Sequence, residues 1–203
     1  MTRWYSEKKK EHYYKEAKRQ GYRARSAFKL QQMHRAFSLI SQGDTILDLG
    51  AAPGGWSQVA TALTGETGTV IGVDVLPIAP LERATFLQGD MTKEETMDAL
   101  AQLLNGTSVD VVLSDMSPDI SGNYSVDQAR SVWLCEQALA VAHRFLKPGG
   151  HFLCKIFQGE DTAAFLKMVK SQFGTVKTSS PQASRKSSSE MYLIARSFQP
   201  KKV

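Results

Sequence analysis

Short apolar runs that end on or beside an acid recur along the chain: Ile46-Leu47-Asp48-Leu49, Val70-Ile71-Gly72-Val73-Asp74, Phe86-Leu87-Gln88-Gly89-Asp90, and Val109 to Ser114 before Asp115. Runs of this length predict strands buried on both faces, and between them the apolar residues switch to helical spacing. The first helix is expected from a Ser26 cap to about Ile40, with Leu30, Met33, Phe37 and Ile40 toward the core and Lys29 beside that stripe. Further helices are expected near Ser57 to Leu63, over Lys93 to Leu104, over Ser125 to Leu146 and over Asp161 to Phe173. Lys147-Pro148-Gly149-Gly150 should stop the helix over Ser125 to Leu146 before a fifth strand at His151 to Phe157. Thr175 to Thr178 and Met191 to Phe198 follow as strands with no helix between them, so the last is expected antiparallel. Alternating strands and helices predict an α/β, Rossmann-like single domain with a mostly parallel sheet and helices on both faces.

Ligands in such sheets bind beyond the carboxyl ends of the strands. There the first strand opens through Gly50-Ala51-Ala52-Pro53-Gly54-Gly55-Trp56, a turn of small residues that lets a ligand approach the backbone. The glycines do not make G-x-G-x-x-G, and no G-K-[ST] follows, so dinucleotide and nucleoside-triphosphate fingerprints are poor matches. Asp74 and Asp90 suit ribose hydroxyls and an adenine amino group, and Asp48 suits a positive charge. A cationic nucleoside without phosphates meets these conditions, and S-adenosylmethionine is such a molecule.

Charge adds a second partner. Residues 1–25 carry nine Lys or Arg against three Glu, a net of +6, which leaves −1 for the rest of a chain of formal charge +5. Trp4, Tyr5, Tyr13, Tyr14 and Tyr22 interleave with those cations, a composition suited to phosphate contact and base stacking. The segment divides the chain into a basic aromatic arm, 1–25, for RNA contact and a domain, 26–203. Arg185-Lys186, in the serine-rich loop Thr178 to Ser189, adds a second basic point. No apolar stretch long enough for a membrane span and no secretion signal occur, and only two cysteines are present, Cys135 and Cys154; a cytoplasmic protein is expected. Neither the cysteines nor the four histidines have metal-ligand spacing, so no metal is expected.

From about Tyr22 to Ala195 the chain resembles the FtsJ/RrmJ family of S-adenosylmethionine-dependent ribose 2′-O-methyltransferases. The resemblance rests on Arg25-Ser26-Ala27-Phe28-Lys29-Leu30, Asp48 through Gln58, Leu113-Ser114-Asp115-Met116-Ser117-Pro118, Phe152-Leu153-Cys154-Lys155-Ile156-Phe157 and Ser187-Ser188-Ser189-Glu190-Met191-Tyr192. It implies a seven-stranded class I methyltransferase sheet, a catalytic tetrad of Lys29, Asp115, Lys155 and Glu190, and cofactor contacts from Gly54, Trp56, Asp74, Asp90 and Asp115. It also implies, as substrate, a uridine ribose of large-subunit ribosomal RNA, alone or in the assembled subunit; relatives act on transfer RNA or messenger caps. A monomer is expected, with no appended RNA-binding domain after Val203.

A lysine keeps its proton at neutral pH unless its surroundings favour release. Lys155 is therefore either a neutral general base for the ribose hydroxyl or a charged donor to the developing alkoxide. A non-catalytic RNA-binding assembly factor is the rival from another class, and the filled tetrad weighs against it. Base methylation is disfavoured because Ser114-Asp115-Met116-Ser117-Pro118 lacks the [ND]-P-P-[YF] pattern.

Overall fold

The computed structural model describes residues 13–184 and 189–200. Trp4, Tyr5, Arg185, Lys186 and the serines 187 and 188 of the last motif lie outside the described residues. The first described segment is helical over 13–19 (α1) and is followed by α2 (Ala27–Phe37), β1 (Thr45–Leu49), α3 (Gly55–Thr64), β2 (Thr69–Asp74) and β3 (Ala84–Gln88). Next come α4 (Glu94–Leu104), β4 (Val109–Ser114), α5 (Tyr124–Phe145), β5 (Leu146–Phe157), α6 (Thr162–Lys170), β6 (Phe173–Ser179) and β7 (Glu190–Phe198). The seven strands form one sheet in the order β3-β2-β1-β4-β5-β7-β6. Pairings from β3 to β5 are parallel, and β7 runs antiparallel to both β5 and β6.

The sheet separates two apolar layers. Leu47, Leu49, Ile71, Val73, Val112 and Phe152 pack with α4, α5 and α6 on one face; Ile46, Val70, Val111, Leu113 and Leu153 pack with α2 and α3 on the other. Period-two alternation explains the split, because successive strand residues point to opposite faces. Every residue of β1 is buried, as expected of a central parallel strand with helices on both sides. The order of the strands reverses between the parallel neighbours β1 and β4, the connection from β1 running one way to β2 and that from β4 the other way to β5; this switch point opens a crevice at the carboxyl ends.

Several local expectations change. The Ser26 side chain makes no cap hydrogen bond, because its backbone is already helical; its carbonyl instead accepts from Leu30 N and the Trp56 indole. Helix α2 ends at Phe37 rather than near Ile40, on Ser38 in the left-handed region, whose N–H bonds back to the His34 carbonyl. The strand after α5 starts at Leu146 rather than His151: Leu146 pairs with Val109 and His151 with Val111, so a register shift absorbs Lys147 to Gly150. The described part of the basic segment lies against the domain, with Ala17 buried beside Phe28 and Ala183 and with Tyr13 and Tyr22 both on the Phe28 ring.

Candidate active site

Alternation places the tetrad on one face. Lys155 pairs across the antiparallel ladder with Tyr192, and Phe157 with Glu190, so Glu190 and Tyr192, two apart in β7, point to the same side as Lys155. That side is the one covered by α2, which supplies Lys29 from a position 6% exposed. Lys29 Nζ lies 2.5 Å from Glu190 Oε1 and donates to the Tyr192 hydroxyl at 3.0 Å. Lys155 Nζ donates to the Asp115 carbonyl at 2.6 Å and lies 3.3 Å from Asp115 Oδ1. The Tyr192 hydroxyl donates to Asp115 Oδ1 at 2.7 Å and joins the two pairs into one network. Behind it, Cys135 Sγ donates to the Lys155 carbonyl at 3.0 Å, and both cysteines are buried free thiols.

Burial alone would raise the Glu190 carboxyl, but Lys29, Ser184 and Lys155 together hold it below the usual carboxylate range. Burial, reinforced by the carboxylates of Asp115 and Glu190, pushes the Tyr192 phenol well up, so it serves as a hydrogen-bond donor. Sequence reading gave Tyr192 no role. The signal was present: in a strand, the residue two beyond Glu190 shares its face.

Beside this network, at the switch point, lies a cavity of about 530 Å³. Its walls come from the glycine turn (Gly50, Ala52), the ends of β2 and β3 (Asp74, Leu76, Asp90, Met91), the end of β4 (Asp115, Met116, Asp119) and α5 (Trp133). Asp115 belongs to both the cavity and the tetrad network. Asp74 accepts from Ala52 N and Leu76 N at 2.9 Å each, which fixes its carboxylate between the two loops. Asp90 is held by Thr92 N and Oγ, and these bonds lower its pKa. Gly50 has φ +71, and a Cβ there would lie 2.4 Å from Met116 Cγ, so the turn tolerates no side chain toward the cavity.

Gly54 and Trp56 are not among the walls of that cavity. Gly54 caps α3 with φ +105, beneath the Arg23 guanidinium, and Trp56 is buried against Tyr192 with its ring 5.8 Å away. Asp48 does not line the cavity either. Its side chain is fully buried under α3, accepts from Ser57 Oγ at 2.7 Å, and leaves Oδ1 without a partner. Alternation is the reason: Asp48 sits one residue before the end of β1 and faces the α2–α3 layer with Ile46, so it does not reach the crevice. Burial pushes its carboxyl up to about 7.

Two further residues went unread in the sequence. Trp133, half exposed on α5, walls the cavity. Arg23 spans the lip: its guanidinium donates to the carbonyls of Ala79 at 2.6 Å, Pro80 at 2.5 Å and Pro53 at 3.3 Å, tying the loop after β2 to the glycine turn.

A sequence profile of FtsJ-like methyltransferases matches residues 22–198. The chain belongs to the FtsJ-like methyltransferase family. It is 50% identical over 189 residues to a ribosomal RNA large subunit methyltransferase E of Halorubrum lacusprofundi, covering 92% of this chain and 70% of that one. Its identity to the protein of the same description from Methanothrix thermoacetophila is 51% over 187 residues, 92% of this chain and 72% of that one. Among solved structures, a Plasmodium falciparum protein described as a ribosomal RNA methyltransferase superposes with a TM-score of 0.81 at 26% identity, covering 89% of this chain and 100% of that one. The seven-stranded, mostly parallel FtsJ-like fold is thus shared by this chain. Among the described residues no helix is long and apolar enough to cross a membrane.

Proposed function

We propose that this FtsJ-like methyltransferase moves a methyl group from S-adenosylmethionine to a ribose 2′-hydroxyl of RNA, with a uridine of large-subunit ribosomal RNA, in the cytoplasm, as its target. One observation carries the cofactor reading: the cavity walls include Asp74, Asp90, Asp115 and Asp119 and no lysine, arginine or histidine. Such a site repels phosphate and attracts a cation, which fits a sulfonium nucleoside and disfavours a dinucleotide. Asp74 and Asp90 would hold its ribose and adenine ends, Asp115 its methionine end. When bound, the cofactor supplies an electrophilic methyl group. The names of the relatives supply the RNA class.

The chain's own residues then act on the hydroxyl. Lys155 directs two Nζ vertices at Asp115, which leaves an outer vertex for the ribose oxygen. As the neutral amine, Lys155 takes the hydroxyl proton on its free Nζ lone pair while the oxygen attacks, becoming the ammonium that pairs with Asp115, and it returns that proton to water before the next turnover; Asp115 holds Nζ in line throughout. Lys29 and Glu190 position the ribose and balance the local charge. Buried ion pairs return little net stability once both charges are desolvated, so two pairs joined by a phenol at a strand edge support a chemical rather than a structural role.

Lys155→Ala should abolish methyl transfer while S-adenosylmethionine binding stays within about twofold, and nuclease digestion of wild-type product should yield a 2′-O-methyl nucleoside. Near-normal turnover by the variant refutes the role of Lys155, and a methylated base refutes the ribose assignment.

A further inference from the structure

Between β4 and α5 the chain forms a loop over 115–123 whose shape is fixed by its own hydrogen bonds. The Asp127 carboxylate accepts from Ser121 N at 2.8 Å, Ser121 Oγ at 2.7 Å and Gly122 N at 3.3 Å. Asn123 Oδ1 caps α5 through Ser125 N and Val126 N, and Arg130 donates to the Asp119 carbonyl. The first residue presented by this frame is Tyr124, which is 56% exposed. Surface tyrosines ordinarily leave the hydroxyl in water and lay the ring on protein. Here the hydroxyl is tied down, donating to the Gln158 carbonyl, while the residue as a whole stays more than half exposed.

That tether locates the ring. Gln158 follows Phe157, the partner of Glu190 in the ladder, and Gln158 N donates to the Ser189 carbonyl at 2.9 Å. Tyr124 therefore bridges from the loop after β4, which carries Asp115, to the end of β5 and the start of β7, which carry Lys155 and Glu190. An exposed aromatic fixed at both ends, on elements that also carry Asp115, Lys155 and Glu190, can act as a stacking surface whose ordering cost is met before any ligand arrives.

We propose that Tyr124 is the platform on which an unpaired base of the RNA stacks when its ribose is presented to Lys155. The proposal rests on the ribose-methyltransferase reading and goes beyond it in naming the substrate form. A base on Tyr124 has left a duplex stack, so the enzyme takes loop or single-stranded nucleotides.

Methyl-transfer kinetics on a single-stranded RNA containing the target nucleotide test this with Tyr124→Leu and Tyr124→Phe. Tyr124→Leu should raise the RNA KM about tenfold, with kcat and the S-adenosylmethionine Kd within about twofold of wild type. Tyr124→Phe keeps the ring and loses only the tether, so its RNA KM should rise less than about threefold. On the same RNA lacking the target base, wild type and Tyr124→Leu should converge. Equal losses in the two variants would make Tyr124 a strut for the loop and overturn the proposal, as would no loss in either. A wild-type enzyme that modifies no ribose removes the functional reading itself, and the platform with it; a wild-type enzyme active on ribose but indifferent to Tyr124→Leu removes the platform alone.

Discussion

Replacing Asp48 by asparagine removes a fully buried carboxyl from the central strand of the sheet. Burial under α3 raises its carboxyl from 3.8 to about 7 in the folded chain. Below pH 3.8 both folded and unfolded chains carry the proton, and the group does not affect stability. Between 3.8 and about 7 the unfolded chain ionises while the folded one keeps its proton, so stability falls as pH rises; above 7 both are ionised and the loss is complete. A displacement of that size corresponds to about 4 kcal/mol. Asparagine avoids this cost, but its amide retains the Ser57 hydrogen bond only by leaving its own N–H donors unpaired, at about 1 to 3 kcal/mol. Urea unfolding of both proteins without cofactor, from pH 5 to pH 8, reads this contribution as the difference between the two curves, because groups that do not interact with Asp48 cancel and its carboxylate neighbours Asp115 and Asp74 add to it only secondarily. Relative to wild type, Asp48→Asn should gain about 2.5 kcal/mol across that interval and be the more stable protein at pH 8. Parallel stability curves, with a constant difference at every pH, would show that Asp48 is not held protonated by burial and would refute the reasoning.

Tyr192→Phe removes the hydroxyl joining Lys29 to Asp115; at about 1.5 to 3 kcal/mol for a hydrogen bond to a charged group, single-turnover methyl transfer should slow about 10- to 100-fold, with S-adenosylmethionine affinity changed less than about threefold. An unchanged rate would mean that the network does not orient the reacting lysine. Arg23→Ala frees the loop after β2 from the glycine turn, so titration calorimetry without RNA should show S-adenosylmethionine binding about 5- to 20-fold weaker, with kcat at saturation near wild type; weakened RNA binding with unchanged cofactor affinity would instead make Arg23 a phosphate contact. Gly50→Ala puts an L side chain at positive φ and drives it against Met116, so cofactor affinity should fall more than about tenfold, and retention of wild-type binding would show that the turn relaxes.

Periodicity in the chain was enough to foresee the order of strands and helices, the antiparallel last strand and the acids at the strand ends, because buried parallel strands and amphipathic helices write their faces into local spacing. Motif resemblance likewise pointed to Lys29, Asp115, Lys155 and Glu190 as a group. What local spacing does not encode is the neighbour across the sheet. Tyr192 joins the polar network because the antiparallel register sets it opposite Lys155 under α2, and Asp48 stays out of the cavity wall because the pleat turns it beneath α3. Arg23, Trp133 and Tyr124 are ordinary surface residues in the sequence; only the folded chain brings the first over the glycine turn, the second into the cavity wall and the third across the ends of three strands. Those placements depend on contacts between residues tens to more than a hundred positions apart, which are settled by sheet order and packing rather than by any local preference of the chain.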